Sequence, residues 1–440
     1  MNKKNKNIQV GIGASNDKNA YQAAISAAKE AIKDFDKEPT FNIVYTNSEA
    51  DQKQILKGIN EVLGTNWVGS SVDKQISSKY DYDKDMTVSV ISLKSDYLHF
   101  GVGVAENYKK KPTEKGNKSI EQAMKNAKVD KYIDSFIQFT RIKTQDYSNI
   151  VKTPPYFIFT IIGSVIKKKG EAISGNESNF LEGIISKVGP HVPVFGLGSG
   201  SDFNKFIDDN TKETTNYQFA NGKLYENSAI TVFVISNLYF EIDVQHGYIN
   251  TNKFAIITKI HKEGFDILEL NGKEPVEEYC KLINVKKEEY LKDPFSYSLK
   301  NPFGITMMDN QIYIKEVYPN SDKKTLHSTY KLQKNTALNI LKYDEKGLLT
   351  TMESIITKSK SKNKKKEIAF SLYTNCCSRR LLMDDKEKLA NDILKKKHKN
   401  VPFFGCYAFS EIGSTKTNIA QVHGETVTAL IIYDALLSDK

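Results

Sequence analysis

The strongest indication of the architecture is the segment from Val401 to Asp434, which reads VPFFGCYAFSEIGSTKTNIAQVHGETVTALIIYD. Its apolar start, Val401 to Phe404, predicts a buried strand, because short apolar runs bounded by turn residues are typical of strands covered on both faces. A second run, Thr426 to Tyr433, predicts another buried strand. Gly405 and a polar loop lie between them, so the segment predicts two strands of an α/β sheet.

Polar side chains follow the first of these strands and precede the second. We expect Tyr407, Ser410 and Glu411 to lie on a turn after the first strand, and His423 to open the second. A carboxylate where a buried strand emerges, faced by a histidine from the next strand, is a common way to build a small-ligand site. The segment therefore predicts a binding site at this end of the sheet.

A similar pattern occurs twice earlier in the chain. The three related strand-and-glycine elements are NWVGSS at 66–71, VPVFGLGSG at 192–200 and VPFFGCYAFSE at 401–411. Two adjacent runs, Met86 to Leu93 and Tyr97 to Val104, alternate like the strands of a hairpin. We therefore predict an α/β fold of mixed parallel and antiparallel sheets layered with helices, built from repeated strand–helix–strand–hairpin units.

A different stretch separates the second and third copies. Residues 254–260, 266–270 and 311–317 predict strands, so we expect a β-rich insert there. The lysine-rich residues 359–366, SKSKNKKK, predict a solvated connection after it. The expected divisions are a flexible tail over residues 1–7, an N-terminal domain over 8–245 and a C-terminal domain over 246–435.

The charge composition argues against nucleic-acid recognition. The net charge is +10, but only Arg141, Arg379 and Arg380 are arginines. Surfaces that read phosphates and bases favour the planar arginine fork, so an excess carried by lysine favours a solvated surface. No run approaches the roughly 18 apolar residues of a membrane helix, so we expect no membrane insertion.

The cysteines and the N-terminus indicate the compartment. Cys280, Cys376, Cys377 and Cys406 have no spacing typical of a disulfide framework or of a metal site, even with His423 added. The N-terminus has no apolar run long enough for a signal peptide. Together these features predict a cytoplasmic protein without a resident metal.

Two glycine-rich segments have a functional and a packing interpretation. Gly11 and Gly13 lie between a short strand and an alanine-rich helix, but Asn16 replaces the third glycine of a dinucleotide-binding turn. Close packing of strand and helix is the favoured interpretation.

Ser199 in GLGSGSD is similar to a nucleophile elbow but departs from its Gly-x-Ser-x-Gly pattern. A small amide or ester hydrolase is thus an alternative, and Gly198 and Ser199 are assigned to the edge of a ligand pocket.

The C-terminal half resembles the FIST family of sensory proteins in three short motifs. The residues Cys376 to Arg379 match the family's Cys-x-x-Arg element at the end of a strand. The residues Gly405 to Ile412 match its Gly-x-Tyr-x-x-Gly-Glu-Ile turn, except that Ser410 stands where glycine is usual. The residues His423 to Thr426 match its His-Asn-x-Thr strand entry, with Gly424 in place of the asparagine.

The resemblance covers roughly residues 8–435 and implies a FIST N-terminal domain and a FIST C-terminal domain. It implies a cytoplasmic sensor that binds a small ligand, with amino acids as suggested ligands, and that signals through a separate protein partner. Some relatives are haem proteins that respond to nitric oxide, so a haem-based gas sensor is an alternative, although we expect no cofactor and no catalytic residue. The residues assigned to the ligand site are Cys376, Arg379, Tyr407, Glu411, His423, Thr426, Gly198 and Ser199.

The chemistry of two of these residues suits an amino acid. An arginine fork binds a carboxylate through two hydrogen bonds, and Glu411 could accept an ammonium group. An internal ion pair between Arg379 and Glu411, which holds the turn in place, is the alternative, and a ligand inserted between them would reconcile both. The candidate axial ligands for haem are His423, His246 and Cys376.

Overall fold

A computed structural model of the protein describes residues 6–131, 154–307, 310–414 and 419–437. Residues 1–5 of the predicted tail and Arg141 lie outside this described part. Three sheets covered by helices, together with a β-rich insert, make up the described fold. The predicted α/β class with mixed parallel and antiparallel sheets is confirmed.

Each of the three main sheets combines strands that are far apart in the chain. In order across the sheet, the first contains β1 (Gln9–Ser15), β5 (Val88–Lys94), β2 (Phe41–Asn47), β3 (Trp67–Val72), β11 (Tyr217–Ala220) and β12 (Lys223–Glu226). The second sheet contains β6 (Leu98–Ala105), β13 (Ala229–Ser236), β7 (Tyr156–Gly163), β10 (Val194–Ser199), β24 (Ser410–Gly413) and β25 (Gln421–His423). The third sheet contains β14 (Leu238–Gln245), β26 (Val427–Leu436), β22 (Ile368–Cys376), β23 (Phe403–Ala408) and β4 (Lys74–Ser77). A separate ribbon pairs β8 (Ile166–Lys168) with β9 (Glu171–Ile173).

Each main sheet is extended by a strand from the stretch of chain that builds another sheet. The central pairs β2–β3, β7–β10 and β22–β23 are parallel. The second strand of each pair also has an antiparallel neighbour: β11 pairs with β3, β24 pairs with β10 and β4 pairs with β23. Because these exchanges link the first sheet to the second, the second to the third and the third to the first, backbone hydrogen bonds join the three sheets into one body.

Helices cover the outer faces of the sheets. They are α1 (Ala20–Ile32) and α2 (Gln52–Leu63) on the first sheet, α3 (Pro112–Asn126) and α4 (Glu177–Val188) on the second, and α9 (Glu345–Lys362) and α11 (Glu387–His398) on the third. The short helices α5 (Phe203–Ile207) and α10 (Cys377–Met383) follow β10 and β22, and 3-10 turns span Tyr108–Lys110 and Asp384–Lys386. Within the described residues, no helix has the length and apolar character needed to cross a membrane.

The glycines near the N-terminus lie inside a strand that packs tightly on a helix. β1 runs through Gly11 and Gly13 instead of ending before them. A Cβ on Gly13 would lie only 2.0 Å from the carbonyl oxygen of Ala27 in α1. The glycines therefore permit close contact of strand and helix, which is the packing interpretation.

The inner faces of the three sheets meet in one hydrophobic core. Ile43 from the first sheet, Phe159 from the second and Phe404 from the third are all buried in it. The rings of Tyr45 and Phe404 stack across two sheets, with centroids 4.9 Å apart. Each such side chain contributes about 1.5–3 kcal/mol when fully buried, so this shared core fixes how the sheets face one another.

The insert is a curled seven-stranded sheet, as the predicted β-rich stretch required. Across the sheet its strands are β18 (Ile312–Lys315), β17 (Phe303–Thr306), β21 (Ala337–Lys342), β15 (Ile249–Ile260), β16 (Asp266–Leu270), β20 (Leu326–Ser328) and β19 (Val317–Pro319). Its helices are α6 (Pro275–Ile283), α7 (Lys287–Tyr290) and α8 (Pro294–Lys300). Only Glu316 separates the two edge strands β18 and β19 in sequence, so the sheet must curl to bring both edges to this residue.

Several local predictions are wrong. The runs 86–93 and 97–104 form no hairpin, because β5 pairs within the first sheet and β6 within the second. Ser359 belongs to α9 and is buried against Glu241, to which its hydroxyl donates at 2.8 Å, so the predicted solvated connection begins within a helix. Tyr407 and Glu411 lie in β23 and β24 and not on a turn, because the chain passes directly from the third sheet to the second.

Candidate functional site

Polar side chains meet where the second sheet, the third sheet and the insert come together. Cys376 is the last residue of β22, and Arg379 lies in α10, which follows it. Glu411 comes from β24, and Glu425 comes from the connection into β26. The insert contributes Glu316, which separates its two edge strands. We call these five residues the junction site.

Glu411 is fully buried, at 0% exposure. Its Oε2 accepts hydrogen bonds from the backbone N–H and the hydroxyl of Thr426, at 3.0 and 2.9 Å. Its Oε1 has no hydrogen-bond partner among the described residues. Burial raises the pKa of this carboxyl well above its ordinary value, and the negative charge of Cys376 raises it further. Buried polar atoms of this kind are normally satisfied by water or by a ligand.

Arg379 is also fully buried, and protein groups hold most of its guanidinium. Its Nε donates to Oδ1 of Asn375 at 2.9 Å. Its Nη2 donates to the carbonyl of Leu348 and to the hydroxyl of Thr351, both at 3.0 Å. Its Nη1 has no partner in the described chain, and none of these contacts is an ion pair with Glu411. Burial lowers the pKa of Arg379, but an arginine keeps its charge in proteins.

Glu316 and Glu425 form a second acidic pair within the junction site. Their carboxyls interact with each other, Tyr318 donates to Glu316 at 3.3 Å and Tyr248 donates to Glu425. Gly424 permits this approach, because a Cβ there would lie 2.6 Å from Oε1 of Glu316. Burial raises the pKa of Glu316 to about 8 and that of Glu425 well above its ordinary value. The Glu316 carboxyl therefore favours the protonated form at neutral pH, and the shift of Glu425 has the same direction.

Cys376 carries an acidic thiol. Burial opposes its ionisation, but the S–H of Cys377 and the backbone N–H groups of Glu425, Ser378 and Arg379 donate to it and lower its pKa to about 6. Burial raises the pKa of the Cys377 thiol well above its ordinary value, so the two neighbouring thiols differ. The junction site thus holds a thiolate beside a guanidinium and three carboxyls.

An open cleft of about 590 Å³ borders the junction site. Thr351 and Tyr248 line this cleft, and they are hydrogen-bonded to Arg379 and Glu425 respectively. His246 lines the same cleft, and burial together with the charge of Arg379 lowers its pKa to about 4. One layer of side chains therefore separates the open cleft from the buried charges.

The first turns of α9 shape one side of the cleft. The helix begins at Glu345 because Asp344 caps it, accepting a hydrogen bond from the N–H of Gly347 at 2.8 Å. A Cβ on Gly247 would lie 2.4 Å from the carbonyl carbon of Gly347, so the two glycines let the helix touch the connection after β14. This contact holds Thr351 against the cleft and against the guanidinium beneath it.

Two other predicted residues lie around the junction site. Tyr407 is buried on the outer face of the third sheet, with its ring centroid 6.3 Å from that of Tyr82. His423 ends β25 and does not open β26, and its Nε2 lies 3.2 Å from the carbonyl oxygen of Gly413. Burial and the charge of Lys315 lower the pKa of His423 to about 3, so its ring is neutral near pH 7.

The predicted glycine and serine at the end of β10 divide between two environments. Gly198 pairs with Ser410, the neighbour of Glu411, and so lies beside the junction site. The hydroxyl of Ser199 is buried and accepts a hydrogen bond from Nε2 of Gln218. This side-chain partner is an amide and not a histidine, so the contact supplies no general base for a serine hydrolase.

Sequence reasoning did not single out four residues around the site: Glu316, Glu425, Tyr248 and Thr351. Glu425 lies in the sequence HGET, between the assigned residues His423 and Thr426, and this position could have indicated that it belongs to the site. Glu316 had no such signal, because one charged residue in a strand-like run is usually exposed. The curl of the insert alone brings it to the other carboxyls.

The candidate metal and haem ligands have different surroundings. Within residues 6–131, 154–307, 310–414 and 419–437, no three His, Cys, Asp or Glu side chains are placed to hold a metal ion. His423 packs edge-on against Tyr313, with ring centroids 4.4 Å apart. Of the three haem candidates, His246 is the one that lines the open cleft.

Comparison with known proteins matches two family models to most of the chain. The FIST N domain matches residues 40–273, and the FIST C domain matches residues 275–414. No curated protein matches the chain. A solved cyanuric acid hydrolase is 8% identical, with a TM-score of 0.29 over 54% of this chain and 71% of that chain. PurLQS from Thermotoga maritima is 11% identical, with a TM-score of 0.20 over 97% of this chain and 72% of that chain. Both scores are too low to support an argument.

Proposed function

This chain belongs to the FIST family, and we propose that it senses an amino acid or a similar small zwitterion at the junction site. FIST domains are described as sensory domains that bind small ligands. One observation carries the proposal: Oε1 of the Glu411 carboxyl and Nη1 of the Arg379 guanidinium are both fully buried and without hydrogen-bond partners in the described chain.

A zwitterion placed between these two groups would satisfy both. Its carboxylate would accept hydrogen bonds from Nη1 of Arg379, and its ammonium group would donate to Oε1 of Glu411. Hydrogen bonds to charged groups contribute about 1.5–3 kcal/mol each, which is enough for recognition of a small metabolite. The ligand would enter from the cleft by displacing the layer of side chains that contains Thr351 and Tyr248.

The response to the ligand would pass through the insert. Glu316 and Tyr318 come from the insert, whereas Glu411 and Arg379 come from the second sheet and from the helix after β22. A ligand that contacts both sides changes how the insert fits against the sheets, and a shift between two such arrangements is what a partner can detect. We propose that a separate signalling protein reads this change.

A cytoplasmic location is part of the proposal. All four cysteines of the chain, Cys280, Cys376, Cys377 and Cys406, are free and buried. Free thiols are typical of proteins from reducing compartments. Cell fractionation with an antibody against the chain tests this, and recovery in an extracellular fraction would overturn it.

The test is a thermal-shift screen of the purified protein against the twenty amino acids, after an absorbance spectrum. A ligand that binds only the native state adds about 2.7 kcal/mol at about 100 times its dissociation constant, and a shift in Tm follows. Glu411→Gln is expected to abolish the shift. The matched control is Glu121→Gln, which should leave the shift unchanged. Glu121 lies on α3, where its exposed carboxylate pairs with Lys187. A Soret band, or a wild-type shift retained in Glu411→Gln, would contradict the proposal.

A further inference from the structure

Resting on this proposed function, we infer that the ligand carries more positive than negative charge, as a dibasic amino acid does. The junction site sets three carboxyls, on Glu316, Glu411 and Glu425, against one guanidinium, on Arg379. All three carboxylates come from side chains that are at least nine-tenths buried, at 8%, 0% and 0% exposure. A neutral zwitterion would use one carboxyl and the guanidinium, which leaves the Glu316–Glu425 pair without a cation.

The cluster points to a ligand because several of its buried polar atoms have no hydrogen-bond partner among the described residues, namely Nη1 of Arg379, Oε1 of Glu411 and Oε1 of Glu425. Oε1 of Glu411 is buried and unpartnered among the described residues, whereas Oε2 of the same carboxyl is held by Thr426. Burial of an oxygen that makes no hydrogen bond costs about 1–3 kcal/mol, unless a donor from outside the chain reaches it. An ammonium group is such a donor.

The neighbouring lysine does not neutralise the carboxyls. Lys315 precedes Glu316 in the chain and is buried, at 5% exposure. Its Nζ donates to Oε1 of Gln421 at 3.3 Å and lies over the ring of Tyr330, 4.7 Å from the centroid. No salt bridge joins it to a described carboxylate. Burial lowers its pKa to about 8, which is the response of an uncompensated ammonium group.

Apart from Arg379, whose charge partly offsets the rise in the pKa of Glu425, the other groups around the pair are acids or phenols. Tyr318 and Tyr248 donate to the two carboxyls. Burial raises the pKa of Tyr330, and the negative charge of Glu316 raises it further. The negative charge of Cys376 raises the pKa of Glu316 and Glu425 as well. Protons therefore compensate the acidic charge, and a second ammonium group between Glu316 and Glu425 would replace them.

The three contacts define the ligand class. The α-carboxylate would face Nη1 of Arg379, the α-ammonium would face Oε1 of Glu411, and a side-chain ammonium would lie between Glu316 and Glu425. When the side-chain ammonium binds, the pair ionises and releases a proton to the buffer. Proton release from Glu411 would be common to lysine and to neutral amino acids, so the additional proton is the signature of the side-chain ammonium.

Isothermal titration calorimetry of the full chain tests the inference, with L-lysine, L-norleucine and cadaverine as probes. Norleucine is lysine without the side-chain ammonium, and cadaverine is lysine without the carboxylate. L-lysine is expected to bind at least about tenfold more tightly than norleucine, since one charged hydrogen bond contributes about 1.5–3 kcal/mol. Its binding enthalpy is expected to depend more strongly than that of norleucine on the ionisation enthalpy of the buffer, which reports the additional proton release without any mutation. In Glu316→Gln, the ratio of lysine affinity to norleucine affinity should fall below about threefold.

The remaining outcomes distinguish a failure of this inference from a failure of the proposed function. Equal affinity for lysine and norleucine, with the same buffer dependence for both, overturns the inference and leaves the amino-acid sensor intact. If cadaverine binds as tightly as lysine, the proposed contact between the ligand's carboxylate and Arg379 is overturned. Failure of all twenty amino acids to bind overturns the proposed function itself.

Discussion

Gly198 and Ser410 lie directly opposite each other in the pairing of β10 with β24, and a Cβ on Gly198 would lie 2.1 Å from Oγ of Ser410. The next pair in this register joins Leu197 to Glu411. The contact therefore sets how closely β24 approaches the second sheet, and with it the position of the buried carboxyl. Ser410 stands where the resemblance to the FIST family leads one to expect glycine. A glycine at this position would have no side chain to crowd a Cβ on residue 198.

The first prediction concerns this contact. Gly198→Ala is expected to lower the free energy of unfolding by about 1–3 kcal/mol, because the added methyl overlaps the serine hydroxyl in a closely packed interior. Chemical denaturation of the purified variants measures this loss. The double variant Gly198→Ala with Ser410→Gly removes the overlapping atom and should recover most of the stability. An equal loss in both variants would show that Ser410 is not the source of the clash.

The second prediction concerns Arg379. Arg379→Lys replaces a fork by a point charge and removes Nη1, so amino-acid affinity is expected to fall about tenfold or more. Titration calorimetry measures the affinity. Arg380→Lys is the matched control, because the neighbouring arginine is bonded to Asp73 and Glu387 and not to the junction site. Unchanged affinity in Arg379→Lys would remove this residue from the site.

The third prediction concerns the buried ion pair between Arg380 and Asp73. Nε and Nη2 of Arg380 donate to the two carboxylate oxygens of Asp73 at 2.6 and 3.3 Å, and this pair joins α10 to the connection between β3 and β4. Asp73→Ala removes both of these hydrogen bonds and leaves the guanidinium with the longer contact of Nη1 to Glu387, at 3.4 Å. It is expected to cost about 3–5 kcal/mol of unfolding free energy. Thermal and urea unfolding measure the loss. A loss below about 1 kcal/mol, the value typical of exposed pairs, would mean that this pair is solvated.

The fourth prediction is a loss of stability as the pH rises. The pKa of Glu316 is raised from 4.5 to about 8 in the folded chain, so its contribution is fully present below pH 4.5 and is lost as the pH rises through about 8. A shift of this size corresponds to about 5 kcal/mol across the interval. Glu316→Gln, which cannot ionise, should flatten the fall in Tm between pH 5 and pH 8. A variant with the same slope as the wild type would show that Glu316 does not carry this dependence.

The fifth prediction concerns the thiol of Cys376. With a pKa of about 6, this thiol is expected to be largely ionised at pH 7, which thiolate absorbance at 240 nm detects. Cys376→Ser should abolish the transition near pH 6. Cys377→Ala removes the S–H donor and should raise the transition towards the ordinary value of 9.0. A titration that is unaffected by Cys376→Ser would assign the thiolate to another cysteine.

Local patterns in the sequence were sufficient to predict the fold class and most strands. The apolar runs that predict β23 and β26 depend only on neighbouring residues, and a strand buried on both faces must be continuously apolar. The same patterns could not identify partners. The runs 86–93 and 97–104 alternate like a hairpin, but their strands pair in different sheets, because pairing depends on contacts far apart in the chain.

The sequence by itself determined the family motifs, including the strand end at Cys376 and the chemistry of Arg379 and Glu411. Only the tertiary structure decided that these two do not pair with each other and that Glu316 joins them from the insert. It also decided the protonation of the acidic side chains. The pKa of a carboxyl depends on burial and on the charges around it, and both arise only when three separate parts of the chain are packed together.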